Sequence, residues 1–315
     1  MEYRNLGKQG VRVSEICLGS WLTYGNATEE STARNCIERA YDLGINFFDT
    51  ANVYARGAAE KVVGEVLRQY PRDSYVLATK VYFPMGDRPN DRGLSRKHIL
   101  EQCDASLKRL GVDYIDLYQA HRYDTSVPLS ETLMAFDHLV RQGKILYYGV
   151  SEWSAGQIAH AADLTRMAGL YPIASNQPEY SILERKIEPE IMPLCQREGI
   201  GIINFSPLAQ GILTGKYKPG EPLPPGSRAS DSRQNAFMQL DDQQLTKVQK
   251  LIPLAQAEGL NLNQLALAWC LRNSALSSVI IGATQPAQIE DNIGAAGKKL
   301  TAETVEAIDK LFRPV

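Results

Sequence analysis

Three features of the sequence predict a closed parallel (β/α)8 barrel, the TIM-barrel architecture. A strand-then-helix cycle recurs about eight times, the helices tend to end near a glycine, and no G-x-G-x-x-G turn follows the first strand. An open doubly wound sheet usually has fewer strands and carries that turn, so the strand count and the missing motif both favour closure.

Each element has a local cause. Residues 3–6 and 11–13 flank Gly7-Lys8-Gln9-Gly10, the pattern of a β-hairpin that could cap the barrel bottom. A strand at 15–18 precedes a helix whose Ala33, Cys36, Ile37, Ala40 and Tyr41 follow i, i+3, i+4, i+7, i+8 spacing and which ends at Gly44. A strand at 46–49 precedes a second helix with Ala59, Val62, Val63, Val66, Leu67 and Tyr70 on one face, and residues 75–79 read as the third strand. Ser95 can cap the next helix, which runs to Gly111 and leads into a strand at 114–120. Leu129, Leu133, Phe136 and Val140 line the inner face of the following helix, before Gly143 and a strand at 145–150. Ser154 and Gln157 form a capping-box pattern, and strands around 173–176, 200–205 and 278–281 complete the cycle. Residues 206–242 are too long and too rich in proline and glycine for an ordinary connection, which marks a functional covering loop. No linker divides the chain, so residues 1–315 read as a single domain.

The bulk properties narrow the partners. A formal net charge of −2 without long charge runs offers no footprint for nucleic acid or a membrane surface, which points to a small-molecule partner. Cys17, Cys36, Cys103, Cys195 and Cys270 form no CxxC pair and no metal-like cluster with the histidines, so they read as core thiols in a reducing compartment. The N-terminus lacks a signal-peptide pattern and no stretch approaches the roughly 20 apolar residues of a membrane span, so a cytoplasmic location without membrane insertion is expected.

In such a barrel the reactive groups sit where strands end at the C-terminal rim. Asp49 closes the second strand, Tyr54 lies in the loop after it, Lys80 closes the third and His121 the fourth. Singly, each is most often a cap, a rim aromatic or a solvated charge; at consecutive strand ends they form a set. The set suits carbonyl reduction, in which a hydride donor acts with an acid that protonates the developing alkoxide. Tyr54 would be that acid, the Lys80 ammonium would lower its pKa, Asp49 would hold the ammonium, and His121 would donate to the substrate oxygen and share the proton with Tyr54. The hydride must come from a cofactor.

Taken in order and in strand context, this tetrad resembles that of the aldo-keto reductase superfamily. The likeness extends through Gly19-Ser20-Trp21, the stretch from Phe48 to Tyr54, Thr79-Lys80, Tyr118-Gln119-Ala120-His121-Arg122, Gly149-Val150-Ser151, Asn176-Gln177-Pro178, Ser206-Pro207-Leu208-Ala209 and Ile281-Gly282-Ala283-Thr284. Within the superfamily the chain is most similar to the branch of voltage-gated potassium channel β subunits and their bacterial relatives, through Ser206-Pro207-Leu208-Ala209-Gln210-Gly211 and Thr214-Gly215-Lys216-Tyr217.

The resemblance implies a cofactor site for NADPH. Ser151 and Gln177 would take the carboxamide, Phe205 would stack on the nicotinamide, and Ser206, Pro207, Leu208, Gln210 and Gly211 would hold the pyrophosphate. Ser20, Trp21 and Asp49 would border the cofactor, Lys216 and Arg228 would reach phosphates, and Gly282, Thr284, Gln288 and Asn292 would meet the adenosine end, where Pro286 opens a helix. Trp21, Tyr54, Tyr82 and His121 would form the substrate pocket, and Phe83, Tyr123 and Trp153, which like Trp21 and Tyr82 follow strand ends, could help to wall it for an apolar or aromatic carbonyl. Glu152 departs from the Asn or Arg often found there and puts a cofactor contact from that position in doubt. His121 stands where the channel subunits usually carry Asn, which favours turnover.

The resemblance leaves two functions open, an NADPH-dependent aldehyde and ketone reductase and a cofactor-sensing channel subunit with slow turnover. The second is lowered by the start of the chain close to the hairpin, without a long N-terminal extension. A Schiff-base lyase acting through Lys80 ranks last, since Asp49 favours the charged amine. Self-association into a homo-oligomer is left open.

Overall fold

The computed structural model describes residues 1–21, 30–231, 235, 238 and 240–312. Strand β1 (Tyr3–Asn5) pairs antiparallel with β2 (Arg12–Ser14), making the expected hairpin. Eight parallel strands follow: β3 (Ile16–Gly19), β4 (Phe47–Asp49), β5 (Val76–Val81), β6 (Ile115–Ala120), β7 (Ile145–Ser151), β8 (Ser175–Gln177), β9 (Gly201–Asn204) and β10 (Leu276–Ile281). They close in the order β10-β3-β4-β5-β6-β7-β8-β9, with Val279 of β10 opposite Ile16 of β3 and β9 hydrogen-bonded to β10.

Helices α1 (Glu30–Asp42), α2 (Ala58–Leu67), α3 (Arg96–Leu110), α4 (Leu129–Arg141), α5 (Ala155–Ala168) and α6 (Ile191–Glu198) follow β3 to β8 in turn. Between β9 and β10 lie α7 (Asp242–Gln249), α8 (Ile252–Ala257) and α9 (Leu262–Leu271), and α10 (Pro286–Asn292) and α11 (Ala302–Leu311) complete the shell. The helix ends obey the expected local chemistry: Ser95 Oγ accepts from the His98 N–H, and Ser154 with Gln157 forms a complete capping box. No described helix is long and apolar enough to cross a membrane. All five cysteines are buried.

Two cores share the strands. Between barrel and helices lies the larger one, whereas Leu6, Val13, Cys17, Phe47, Val76, Ala78, Leu117, Ala174 and Ile203 fill the barrel interior. Leu6 and Val13 come from the hairpin segment and are fully buried, so that segment plugs the barrel. Burying two such side chains contributes about 3–6 kcal/mol in transfer free energy. Gly7 permits the close approach: a Cβ there would lie 2.3 Å from the Gly199 carbonyl oxygen, and its φ is +58°.

This division sets the site. Phe47 points inward and Phe48 outward, so period-two alternation brings Asp49 inward. By the same parity Val76 and Ala78 lead to Lys80 on β5, and Leu117 leads to Gln119 on β6 and then to His121 just past its end. Lys80 is the register partner of Gln119.

The connection after β9 is neither structureless nor free. Short 3-10 turns occupy Ala209–Thr214 and Arg228–Ser230, and Leu213 and Tyr217 are buried. Gln249 Nε2 donates to the carbonyls of Gly215 (3.2 Å) and Tyr217 (3.3 Å). The rest of the expected covering loop, at residues 232–234, 236, 237 and 239, lies outside the described residues.

Candidate active site

At the C-terminal rim the four side chains converge. Lys80 is wholly buried and its ammonium donates to Asp49 Oδ1, to the Thr50 carbonyl at 2.8 Å and to the Tyr54 hydroxyl at 3.3 Å. An ammonium has three N–H donors, and these contacts use all of them. Asp49 Oδ2 accepts from Gln177 Nε2 (3.0 Å) and Gln119 Nε2 (3.2 Å), so the carboxylate is satisfied on both oxygens. The His121 ring lies edge-on to Tyr54 with centroids 5.8 Å apart, and its buried Nδ1 has no hydrogen-bond partner among the described residues.

Gln119 is a member that the sequence reading passed over. It sits inside β6, two residues beyond the inward Leu117, and that parity was the available signal. Ser20 supports the set from behind: its Oγ donates to Thr50 Oγ1 at 2.8 Å and its N–H to the Asp49 carbonyl at 3.0 Å.

The electrostatics correct one expectation. Burial raises the Tyr54 phenol above its ordinary value, and the downward pull of Lys80 does not overcome it, so the phenol is a weaker acid than a free tyrosine. Burial also presses the Lys80 ammonium down, but the Asp49 carboxylate and the phenol together outweigh it and hold Lys80 above its usual range. His121 is held well below the usual imidazole value by burial, then by Lys80 and Arg122, and is therefore neutral at pH 7. A neutral imidazole can donate one hydrogen bond to a substrate oxygen but brings no extra proton.

Beside these residues opens a cavity of about 710 Å³. Its lining includes Trp21, Asp49, Tyr54, His121, Ser151, Gln177, Phe205, Ser206, Pro207, Leu208, Gln210, Gly211, Lys216, Arg228, Gly282, Thr284, Gln288 and Asn292. Two expected residues do not line it: Ser20 is buried behind Thr50, and Tyr82 packs on Phe83, whose ring faces the cavity in its place (centroids 5.2 Å apart). Tyr123 and Trp153 stack edge-to-face on each other, 4.8 Å between centroids, also outside the lining. The lining further gains Arg122 and Asn263.

Several features fit a dinucleotide. Asn292 is buried against the cavity, and its Oδ1 has no hydrogen-bond partner among the described residues. Gln177 spends its Nε2 on Asp49 and Gln119, leaving its side-chain oxygen unspent, and Ser151 Oγ donates to the Gln177 carbonyl at 2.8 Å. Lys216 and Arg228 bring two cations to the lining, with the Arg228 guanidinium 5.0 Å from the Trp21 ring centre. Thr284 is joined to Gln288 through its N–H at 2.8 Å. Glu152 turns aside: its carboxylate accepts from the Glu179 N–H at 2.7 Å, and it does not line the cavity. Among the described residues, no cluster of His, Cys, Asp or Glu could hold a metal ion.

The backbone is strained at this mouth. Among the described residues the non-glycine positions with positive φ are Ala55, Arg56, Glu152, Ser206, Ala209 and Gln210, and all lie in loops that follow strands at the C-terminal rim. Left-handed conformations cost a non-glycine residue on the order of 1–2 kcal/mol, so these loops hold shapes that the surrounding structure enforces.

A closed parallel barrel thus gathers Asp49, Tyr54, Lys80 and His121 at its C-terminal rim, beside the cavity, in the arrangement of a barrel with a candidate acid–base site. Residues 15–313 match the Aldo/keto reductase family, and the chain belongs to that family. Among curated proteins it is 43% identical to the putative voltage-gated potassium channel subunit beta of Schizosaccharomyces pombe, over 98% of this chain and 93% of that protein. It is 45% identical to the probable voltage-gated potassium channel subunit beta of Arabidopsis thaliana (94% of this chain, 91% of the relative). The protein of the same description from Oryza sativa subsp. japonica is 43% identical, over 99% and 97%.

Proposed function

We propose that the protein reduces aldehydes and ketones to alcohols with NADPH, Tyr54 giving the proton. The observation that carries this reading is the use of all three Lys80 donors on Asp49, Thr50 and Tyr54. Lys80 has no N–H left over for a substrate, and as a cation it has no lone pair for a Schiff base, so it acts as a fixed charge behind the phenol. Tyr54 lines the cavity with neutral His121 beside it.

NADPH, when bound, supplies the hydride that forms the new C–H bond and leaves as NADP+. Ser151 and Gln177 would orient its carboxamide, Phe205 would lie against its ring, the backbone of Ser206 to Gly211 would hold the pyrophosphate, and Asn292 and Gln288 would meet the adenosine end. Lys216 and Arg228 favour the phosphorylated dinucleotide over NADH. Tyr54 and His121 would hydrogen-bond the carbonyl oxygen, and the phenol would pass its proton to that oxygen as negative charge builds there. A raised phenol pKa suits the role, because the proton stays on Tyr54 until a stronger base, the alkoxide, forms. The Lys80 ammonium then stabilises the phenolate left behind.

The test is NADPH consumption by wild type and Tyr54→Phe with para-nitrobenzaldehyde, alongside NADH. The variant should lose carbonyl reduction by about 100-fold or more, with NADPH affinity changed by less than about threefold, since the phenol acts on the transition state. Full activity of Tyr54→Phe would refute the mechanism.

A second reading, a cofactor-sensing regulatory subunit of a membrane channel, draws support from the names of the relatives described above. It predicts NADPH binding with little turnover and retention of the cofactor, which the same assay separates from the first.

A further inference from the structure

Arg122 has no part in the chemistry above, yet it lines the same cavity. One guanidinium N–H is spent on the His121 carbonyl at 2.6 Å, and the guanidinium carbon lies 5.4 Å from the centre of the Phe83 ring. That ring in turn meets His121 edge-on at 4.9 Å. Among the described residues no carboxylate lies within ion-pair distance of Arg122. Glu179 is the carboxylate near enough for Arg122 to draw its pKa down, but burial raises that group. The chain thus presents a half-buried cation, oriented by Phe83 and by a backbone carbonyl, with most of its donor fork unspent.

The fork is not placed for the cofactor. Lys216, Arg228 and Asn292 follow β9 and β10, whereas Arg122 follows β6, which lies diametrically across the barrel from β10 in the strand order. It stands instead next to His121, at the end where a carbonyl oxygen would be protonated. A guanidinium in that position matches a carboxylate or phosphate group, which it can engage through two parallel N–H bonds.

We infer that the substrate is a short-chain aldehyde bearing an anionic group, held by Arg122 while its carbonyl oxygen meets Tyr54 and His121. This inference rests on the reductase reading. Arg122 is a specificity residue: it contacts the far end of the substrate, and its contribution appears as discrimination between charged and neutral aldehydes.

The experiment compares matched pairs with saturating NADPH: succinic semialdehyde against its methyl ester, and phosphonoacetaldehyde against its diethyl ester. Wild type should favour the acid of at least one pair in kcat/KM by roughly 10- to 100-fold, the range expected for a charge-assisted pair. The pair with the larger ratio tells carboxylate from phosphate. Arg122→Leu should bring that ratio to near one, and Arg122→Lys should keep part of it. A ratio near one in wild type, or one that survives in Arg122→Leu, overturns the inference and leaves the reductase reading intact. If no aldehyde turns over, that reading fails, and calorimetry decides the anion site alone. Succinate should then bind the NADP+-loaded wild type and not Arg122→Leu, and absent or equal binding overturns the proposal.

Discussion

Replacing Lys80 with methionine removes a cation that is wholly buried and whose three donors are all spent. The Asp49 carboxylate stays behind at 4% exposure, with the two glutamine amides as its remaining donors and the Thr50 carbonyl left without its partner. Breaking a buried pair from one side costs about 3–5 kcal/mol, most of it the uncompensated charge. At about 2.1 cal/mol/K per residue, the unfolding entropy of 315 residues is near 0.7 kcal/mol/K, so Tm should fall by about 4–7 °C. The double variant Asp49→Asn/Lys80→Met removes the stranded charge, while an asparagine oxygen can still accept from Gln119 and Gln177. It should regain more than half of the lost stability, and neither variant should reduce a carbonyl. Thermal and urea denaturation of the cofactor-free proteins measure both numbers. A double variant no more stable than Lys80→Met would show that the loss comes from packing, and the charge argument would be wrong.

Two other outcomes follow from the same geometry. Because the folded-state pKa of His121 lies well below 6.5, the unfolded chain takes up the proton first as pH falls, so this contribution to stability is complete above about pH 6.5 and is lost progressively below it. Urea titrations between pH 6.5 and 5.5 should show a slope shallower by up to about 1.4 kcal/mol per pH unit in His121→Asn, and an unchanged slope would contradict a buried neutral imidazole. Ala209→Gly relieves a residue at φ +46° and should raise stability by about 1 kcal/mol; a loss of stability would mean that the conformation carries no strain.

The barrel was legible because several helices announce themselves by spacing and most strands by short apolar runs, so residues such as Ala33, Cys36, Ile37 and Ala40 fall on the buried face as read. Strand edges were less clear where the barrel lining turns polar. β8 runs over Ser175–Gln177, beyond the apolar Ile173 and Ala174 that suggested it, because Asn176 and Gln177 are held in the sheet by register with Val150 and Ser151. At the site, strand-end position picked out Asp49, Lys80 and His121, but a linear reading does not report which of two adjacent aromatics a loop turns inward. Hence Phe83 stands where Tyr82 was expected. The raised phenol was hidden for another reason: burial of Tyr54 is a property of the assembled mouth, and its size relative to the Lys80 field cannot be weighed before the strands are brought together.

Arg4 sits in the first strand of the hairpin, yet its guanidinium donates to the carbonyls of Leu271 (2.8 Å) and Leu276 (2.9 Å), while Glu15 holds its Nε at 2.6 Å. Both the plug and the edge of β3 are therefore completed by residues near the far end of the chain. On a ribosome adding about 5–20 residues per second, Ile16 waits some 15–50 s for its partner on β10 to be made. Throughout that interval the nascent chain carries an unpaired strand edge and a hairpin whose Leu6 and Val13 lack much of their eventual cover. How long that edge stays open during synthesis is thus set by where the barrel closes, and a circular permutant that makes β10 first would shorten the wait.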